Sequence, residues 1–67
     1  MRIGQFNEYK GYTGSIDYDT KDKIYYGELL NIDDFVNYQG NDGLELYKSY
    51  QNAIDDYIEF KKEIGKE

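Results

Sequence analysis

Sixty-seven residues build one small domain, residues 1–67, and 14 Asp and Glu against 8 Lys and Arg leave a net charge of −6. A chain this acidic repels phosphate backbones, which argues against ordinary nucleic-acid or anionic-membrane binding. It contains no His and no Cys, so it lacks disulfides, thiolate metal sites and the commonest general acid–base; no catalysis, metal or cofactor is expected.

The opening Met1-Arg2-Ile3-Gly4-Gln5-Phe6 lacks the apolar stretch of a signal peptide, and a cytoplasmic location is expected. Whether residues 1–8 form an extra strand is left open. Residues 9–18 alternate. Tyr12, Gly14, Ile16 and Tyr18 share one face of a first strand; Gly11, Thr13, Ser15 and Asp17 share the other. Asp19-Thr20-Lys21-Asp22 is polar and reads as a hairpin loop. Residues 23–30 return as a second strand, with Ile24, Tyr26, Glu28 and Leu30 opposite in direction to Tyr25, Gly27 and Leu29. After a short connection at residues 31–34, residues 35–39 form a brief third strand. Short strands joined by short loops make an antiparallel meander.

Gly40-Asn41-Asp42-Gly43 ends the alternation, and the period changes to about 3.6 residues. Asp42 is placed to cap a helix, with Glu45 completing a capping-box-like pair. Apolar residues recur at Leu44, Tyr47, Tyr50, Ile54, Tyr57, Ile58 and Ile64. This predicts an amphipathic helix of about 20 residues that buries Tyr47, Tyr50, Ile54 and Tyr57. Lys61, Lys62 and Lys66 suit its C-terminus, and Gly65 marks its end. The fold class is α+β: a three-stranded antiparallel sheet with one C-terminal amphipathic helix packed on one face. One helix covers one face, so the other is wet or meets a partner. A core this small is marginal alone, which points to a homo-oligomer, a dimer or a dimer-based tetramer.

Few residues carry recognisable chemistry. Asp33-Asp34 reads as a loop that turns the chain. Asp55-Asp56 reads as a solvated helix face, because adjacent helical side chains point about 100° apart; Glu59 alone could join Asp55. Thr13, Ser15 and Ser49 have no base beside them. Gly11 and Gly14 lie in a strand pattern, where glycine marks a bulge, a close backbone approach or a bare floor for a ligand. Nine Tyr are present, and exposed Tyr is enriched in binding surfaces. The candidate binding residues are therefore Tyr9, Lys10, Gly11, Tyr12, Gly14, Tyr25 and Tyr26.

The segment Tyr9-Lys10-Gly11-Tyr12-Thr13-Gly14-Ser15 with Asp17-Tyr18-Asp19 resembles the opening strand of HicB-type antitoxin domains. Tyr26-Gly27-Glu28 resembles their second strand, and Tyr38-Gln39-Gly40 the close of their third. Leu44-Glu45 through Ser49-Tyr50, with residues 53–60, is similar to their helix, including the paired Asp before Tyr57. The resemblance covers residues 9–60. It implies a partial RNase H-like fold, similar in shape only. It also implies a protein that neutralises a small ribonuclease toxin by covering its active site. HicB proteins carry a C-terminal DNA-binding segment, which these 67 residues lack, so repression is not expected.

The leading expectation is thus an antitoxin-like inhibitor that acts by stoichiometric sequestration, its acidity suited to a basic toxin surface. The alternative is a phage-type counter-defence protein that, as an oligomer, sequesters a nucleotide-derived immune signal of the ADP-ribose or cyclic-nucleotide type. Tyr rings and the backbone of Gly11 and Gly14 would then grip base and ribose, and Arg2 or Lys10 would meet phosphate.

Overall fold

A computed structural model describes residues 1–64. Its elements are β1 (Arg2–Gln5), β2 (Thr13–Asp19), β3 (Ile24–Leu30), β4 (Asn37–Gly40) and α1 (Gly43–Glu63). The four strands form one antiparallel sheet in the order β1-β2-β3-β4. The α+β class and the meander are as expected, but the sheet has four strands, not three.

The extra strand, β1, is exposed along its whole length, so no buried face imposes a period on its sequence. Its pairing shifts between Arg2↔Asp17 and Gly4↔Ile16, which leaves Ile3 as a bulge. It is anchored by an ion pair from Arg2 Nε to Asp17 Oδ1 at 3.1 Å.

The first predicted strand starts later than the alternation implied. Residues 9–12 form a tight hairpin instead. Tyr9 and Tyr12 exchange backbone hydrogen bonds of 2.7 and 2.9 Å, and Lys10 and Gly11 both take positive φ, 54° and 85°. Two successive left-handed residues are what a type I′ hairpin turn requires, and glycine is at home in one of them. The predicted third strand also shifts. It spans Asn37–Gly40, and Phe35 lies in the preceding loop, 74% exposed.

The helix begins as the caps dictate. Asp42 accepts from the Glu45 amide at 2.8 Å, and Glu45 reaches back to the Asn41 amide at 2.8 Å. Leu46, Tyr50, Ile54 and Tyr57 are its buried residues. Tyr47 was expected in that stripe and is instead 42% exposed. The spacing 46-50-54-57 runs along one face, and residue 47 is rotated about 100° from residue 46. Tyr47 packs at the margin, against Phe6, with ring centroids 5.6 Å apart. The expected end at Gly65 and the cation Lys66 lie outside the described residues.

The helix covers the face that carries Gly14, Ile16, Tyr25, Gly27, Leu29 and Tyr38. Two glycines shape this face. A Cβ on Gly27 would run into the Ser15 carbonyl oxygen and stand 2.7 Å from Tyr38 Cε1. A Cβ on Gly14 would run into Tyr38 Oη. The Tyr38 ring therefore lies flat over both glycines and reaches from β4 across β3 to β2. Its hydroxyl donates to Ser15 O at 2.9 Å. Tyr50 closes the other side, fully buried, stacked on Phe6 at 4.3 Å and edge-on to Tyr38 at 5.6 Å. Its hydroxyl ties the N-terminal connection down by donating to Asn7 O at 2.8 Å and Tyr12 O at 3.0 Å. The core is thus built around tyrosines whose hydroxyls serve backbone carbonyls, so that ring area is buried without an unpartnered oxygen.

Burial raises the pKa of the Tyr38, Tyr50 and Tyr57 hydroxyls; Tyr57 is raised further by its bond to Asp34. The neutral phenol is the form that fits the fold. Stability from these groups is complete below the unfolded value near 10 and is lost as pH rises through the folded values. In an alkaline titration followed by tyrosinate absorbance, Tyr38, Tyr50 and Tyr57 should ionise only as the helix signal collapses. Ionisation of these three with the helix intact would contradict this account.

Candidate functional site

The sequence-derived binding residues do not gather in one place. Tyr9 and Lys10 face the helix. Lys10 Nζ contacts Asp55 Oδ1 at 2.9 Å, and Tyr9 Oη donates to the same carboxylate at 3.3 Å. The Lys10 hydrogen bond holds the Asp55 carboxyl below its usual range, and Asp55 raises Lys10 in turn. Asp55 is thus a tertiary partner rather than part of a purely solvated face. Gly11 serves the hairpin turn. Tyr12 packs edge-on against Tyr57 at 5.7 Å. Gly14 offers no bare floor to a ligand, because Tyr38 from the same chain already occupies it. Tyr25 pairs across the strands with Tyr18, their centroids 4.8 Å apart. Tyr26, 39% exposed, lies on the uncovered sheet face, where its hydroxyl accepts from the Met1 ammonium at 3.4 Å.

That uncovered face carries a small polar layer. Ser15, fully buried, donates to Asp17 Oδ2 at 2.8 Å and accepts from the Glu28 amide at 3.1 Å. Arg2 closes over Asp17 and reaches Glu28 at 3.7 Å. The Arg2 guanidinium is raised by this hydrogen bond and charge from Asp17. Beside it lies a hollow of about 490 Å³ bordered by Asp19, Asp22, Ile24, Tyr26, Asn37 and Gln39. Among the described residues, its charged lining is acidic, which does not favour phosphate.

A larger groove, about 670 Å³, runs between α1 and the segment leading into β4. Phe35, Val36 and Tyr38 line one wall; Ala53, Tyr57 and Phe60 line the other. Ser49, Asn52 and Asn37 supply neutral polar groups, and Asp34 and Asp56 supply charge. Among the described residues, no Lys or Arg lines it. Lys61 lies near it, 5.4 Å over the Tyr57 ring. Tyr57 donates to Asp34 Oδ2 at 2.9 Å, which fixes the loop to the helix across one end. Phe35 is 74% and Phe60 52% exposed, so the groove has two open aromatic flanks.

Sequence reasoning passed over these residues. It placed Phe35 in a strand, treated Asp34 as a turn residue, and took Asp56 as solvated helix. An available signal was Asp33-Asp34-Phe35, a large apolar residue set among charges in a connection. Nothing in the local pattern marked Phe60. Among the described residues, no three carboxylates converge closely enough to hold a metal ion, and no helix is long and apolar enough to cross a membrane. Acidic charge, open aromatic rings and neutral amides suit this groove to contact with a basic, partly apolar surface. Comparison with protein-family models, curated proteins and solved structures finds no match to this chain.

Proposed function

We propose that this chain is a HicB-like inhibitor domain of the cytoplasm, non-catalytic, that neutralises a small basic ribonuclease toxin by binding it stoichiometrically. The observation that carries the reading is the aromatic groove whose charged lining residues, Asp34 and Asp56, are both acidic. A basic RNA-binding surface complements such a groove, and a phosphate-bearing ligand does not. The residue resemblance over 9–60 supports the same reading, as does a sheet crossed by one helix. The proposal includes self-association through the uncovered sheet face, which bears Tyr26 and the exposed strand β1.

The nucleotide-sequestering alternative has less support. It calls for cations to meet phosphate, yet Arg2 is engaged by Asp17 and Lys10 by Asp55. Its glycine floor at Gly14 is filled. The two readings separate in one experiment. Titrated into an RNA-cleavage assay with a small basic toxin ribonuclease, the protein should abolish cleavage near one equivalent. ADP-ribose and cyclic dinucleotides should give no binding heat. Undiminished cleavage together with nucleotide binding would overturn the proposal.

A further inference from the structure

The two edges of the sheet are treated differently. An edge strand exposes unpaired N–H and C=O groups, and proteins blunt such edges with charge, proline or a bulge. β1 carries two of these devices, the bulge at Ile3 and the charged Arg2. β4, at the opposite edge, reads Asn37-Tyr38-Gln39-Gly40. It has no charge and no proline, and its pairing with β3 runs without a shift through Tyr25↔Gly40, Tyr26↔Gln39, Gly27↔Tyr38 and Glu28↔Asn37. The edge left able to pair is therefore the one that borders the aromatic groove.

We infer that β4 and the groove together form a strand-addition site, whose occupant is an extended cationic segment of a partner protein. The inference deepens the inhibitor reading and rests on it for the partner's identity. A segment laid beside four residues of β4 spans about 13 Å, and its side chains alternate in direction. Every second one enters the groove, where apolar groups meet Phe35, Val36 and Phe60. The remaining positions carry Lys or Arg toward the rim. A carboxylate has two acceptor oxygens, and among the described residues Asp34 accepts a side-chain hydrogen bond at Oδ2 alone, from Tyr57. Backbone pairing supplies affinity in this mode, and the pockets supply selectivity. A second copy of this chain fits less well, because it would bring a net charge of −6 against Asp34 and Asp56.

The test uses the full chain, labelled with nitrogen-15, and a short capped peptide alternating lysine and valine. Amide shifts are expected in β4 and along Ser49 to Phe60. The variant Phe35→Ser/Phe60→Ser alters two exposed rings and should keep the wild-type helix signal. It should weaken binding on the order of tenfold, and Asp56→Asn should weaken it severalfold in low salt, a loss that shrinks as salt is raised and screens the charge. Methylating alternate peptide nitrogens should abolish binding in the phase that faces β4. Shifts confined to β1 and Tyr26, equal binding of a glutamate–valine peptide, or no shifts at all would overturn the inference. So would a wild-type dimer that Phe35→Ser/Phe60→Ser converts to a monomer, since the groove would then be a self-interface. The ribonuclease assay is run on the same samples. Inhibition without peptide binding removes the groove and leaves the inhibitor; peptide binding in the groove without inhibition supports the strand site and removes the ribonuclease as its partner.

Discussion

Replacing Gly27 with Ala should leave on the order of half the protein unfolded at 25 °C. The new methyl would meet the Ser15 carbonyl oxygen, part of the backbone, and Tyr38 Cε1 at 2.7 Å. Neither neighbour moves freely. Shifting Ser15 disturbs the partner of Tyr38 Oη and the Ser15–Asp17–Arg2 layer behind it. Lifting Tyr38 detaches the ring from both glycines and pushes it into Tyr50. Overpacking of this kind costs about 3 kcal/mol, comparable to the whole stability of a domain this small. Gly4 is the control, because a Cβ there has no atom within 4 Å. Gly4→Ala should stay within about 0.5 kcal/mol of wild type. Urea denaturation followed by circular dichroism decides. Equal midpoints for Gly27→Ala and wild type would refute the close approach.

Tyr50→Ala should cost about 4 kcal/mol, because a fully buried ring leaves a cavity that its neighbours cannot fill. The loss combines two roles, and Tyr50→Phe separates them. Phenylalanine keeps the stack on Phe6 and removes only the hydroxyl that serves Asn7 O and Tyr12 O. That change should cost about 1–2 kcal/mol. It should act locally, by freeing residues 6–13 from the helix. Amide exchange at Tyr9 and Tyr12, which bond to each other's carbonyls, should accelerate while the β2–β3 amides remain protected. Equal loosening of every strand would show that the hydroxyl does not anchor this segment.

How much of this was legible in the sequence depended on whether a residue's role was local. Asp42 and Glu45 lie within one turn of each other, and their capping follows from chemistry that spans three residues. The β2–β3 hairpin followed from alternation and a polar loop, read over residues 9–18 and 23–30 and observed at Thr13–Asp19 and Ile24–Leu30. β1 was illegible because all four of its residues are exposed; it is held by its backbone pairing to β2 and by the ion pairs of Arg2 to Asp17 and Glu28, all remote in sequence. The turn at Lys10-Gly11 had a signal, a glycine in a two-residue loop between tyrosines, but alternation from Tyr9 onward masked it. Tyr47 and Leu46 both fit a broad helical stripe, and only the sheet beneath selects between them. The floor at Gly14 was filled by Tyr38, 24 residues further on, and no local pattern contains that contact. The groove was missed for the same reason. Its walls come from a loop and a helix, and Phe35 and Phe60 come to line one groove only once the chain has folded.

Tyr38 also has a kinetic meaning. Glycine-bearing strands specify their alignment weakly, since a slip by one residue loses few packing contacts. In β2 and β3 the glycines stand diagonally to each other, and only the native alignment lays them out as a continuous track one ring wide. A hairpin slipped by one position would put Thr13 or Ser15, or Tyr26 or Glu28, in that track, and β4 could not then seat its tyrosine. The arrival of β4 should therefore act as a proofreading step: a misaligned β2–β3 hairpin is expected to stay open at its third strand and to dissolve before the chain can close.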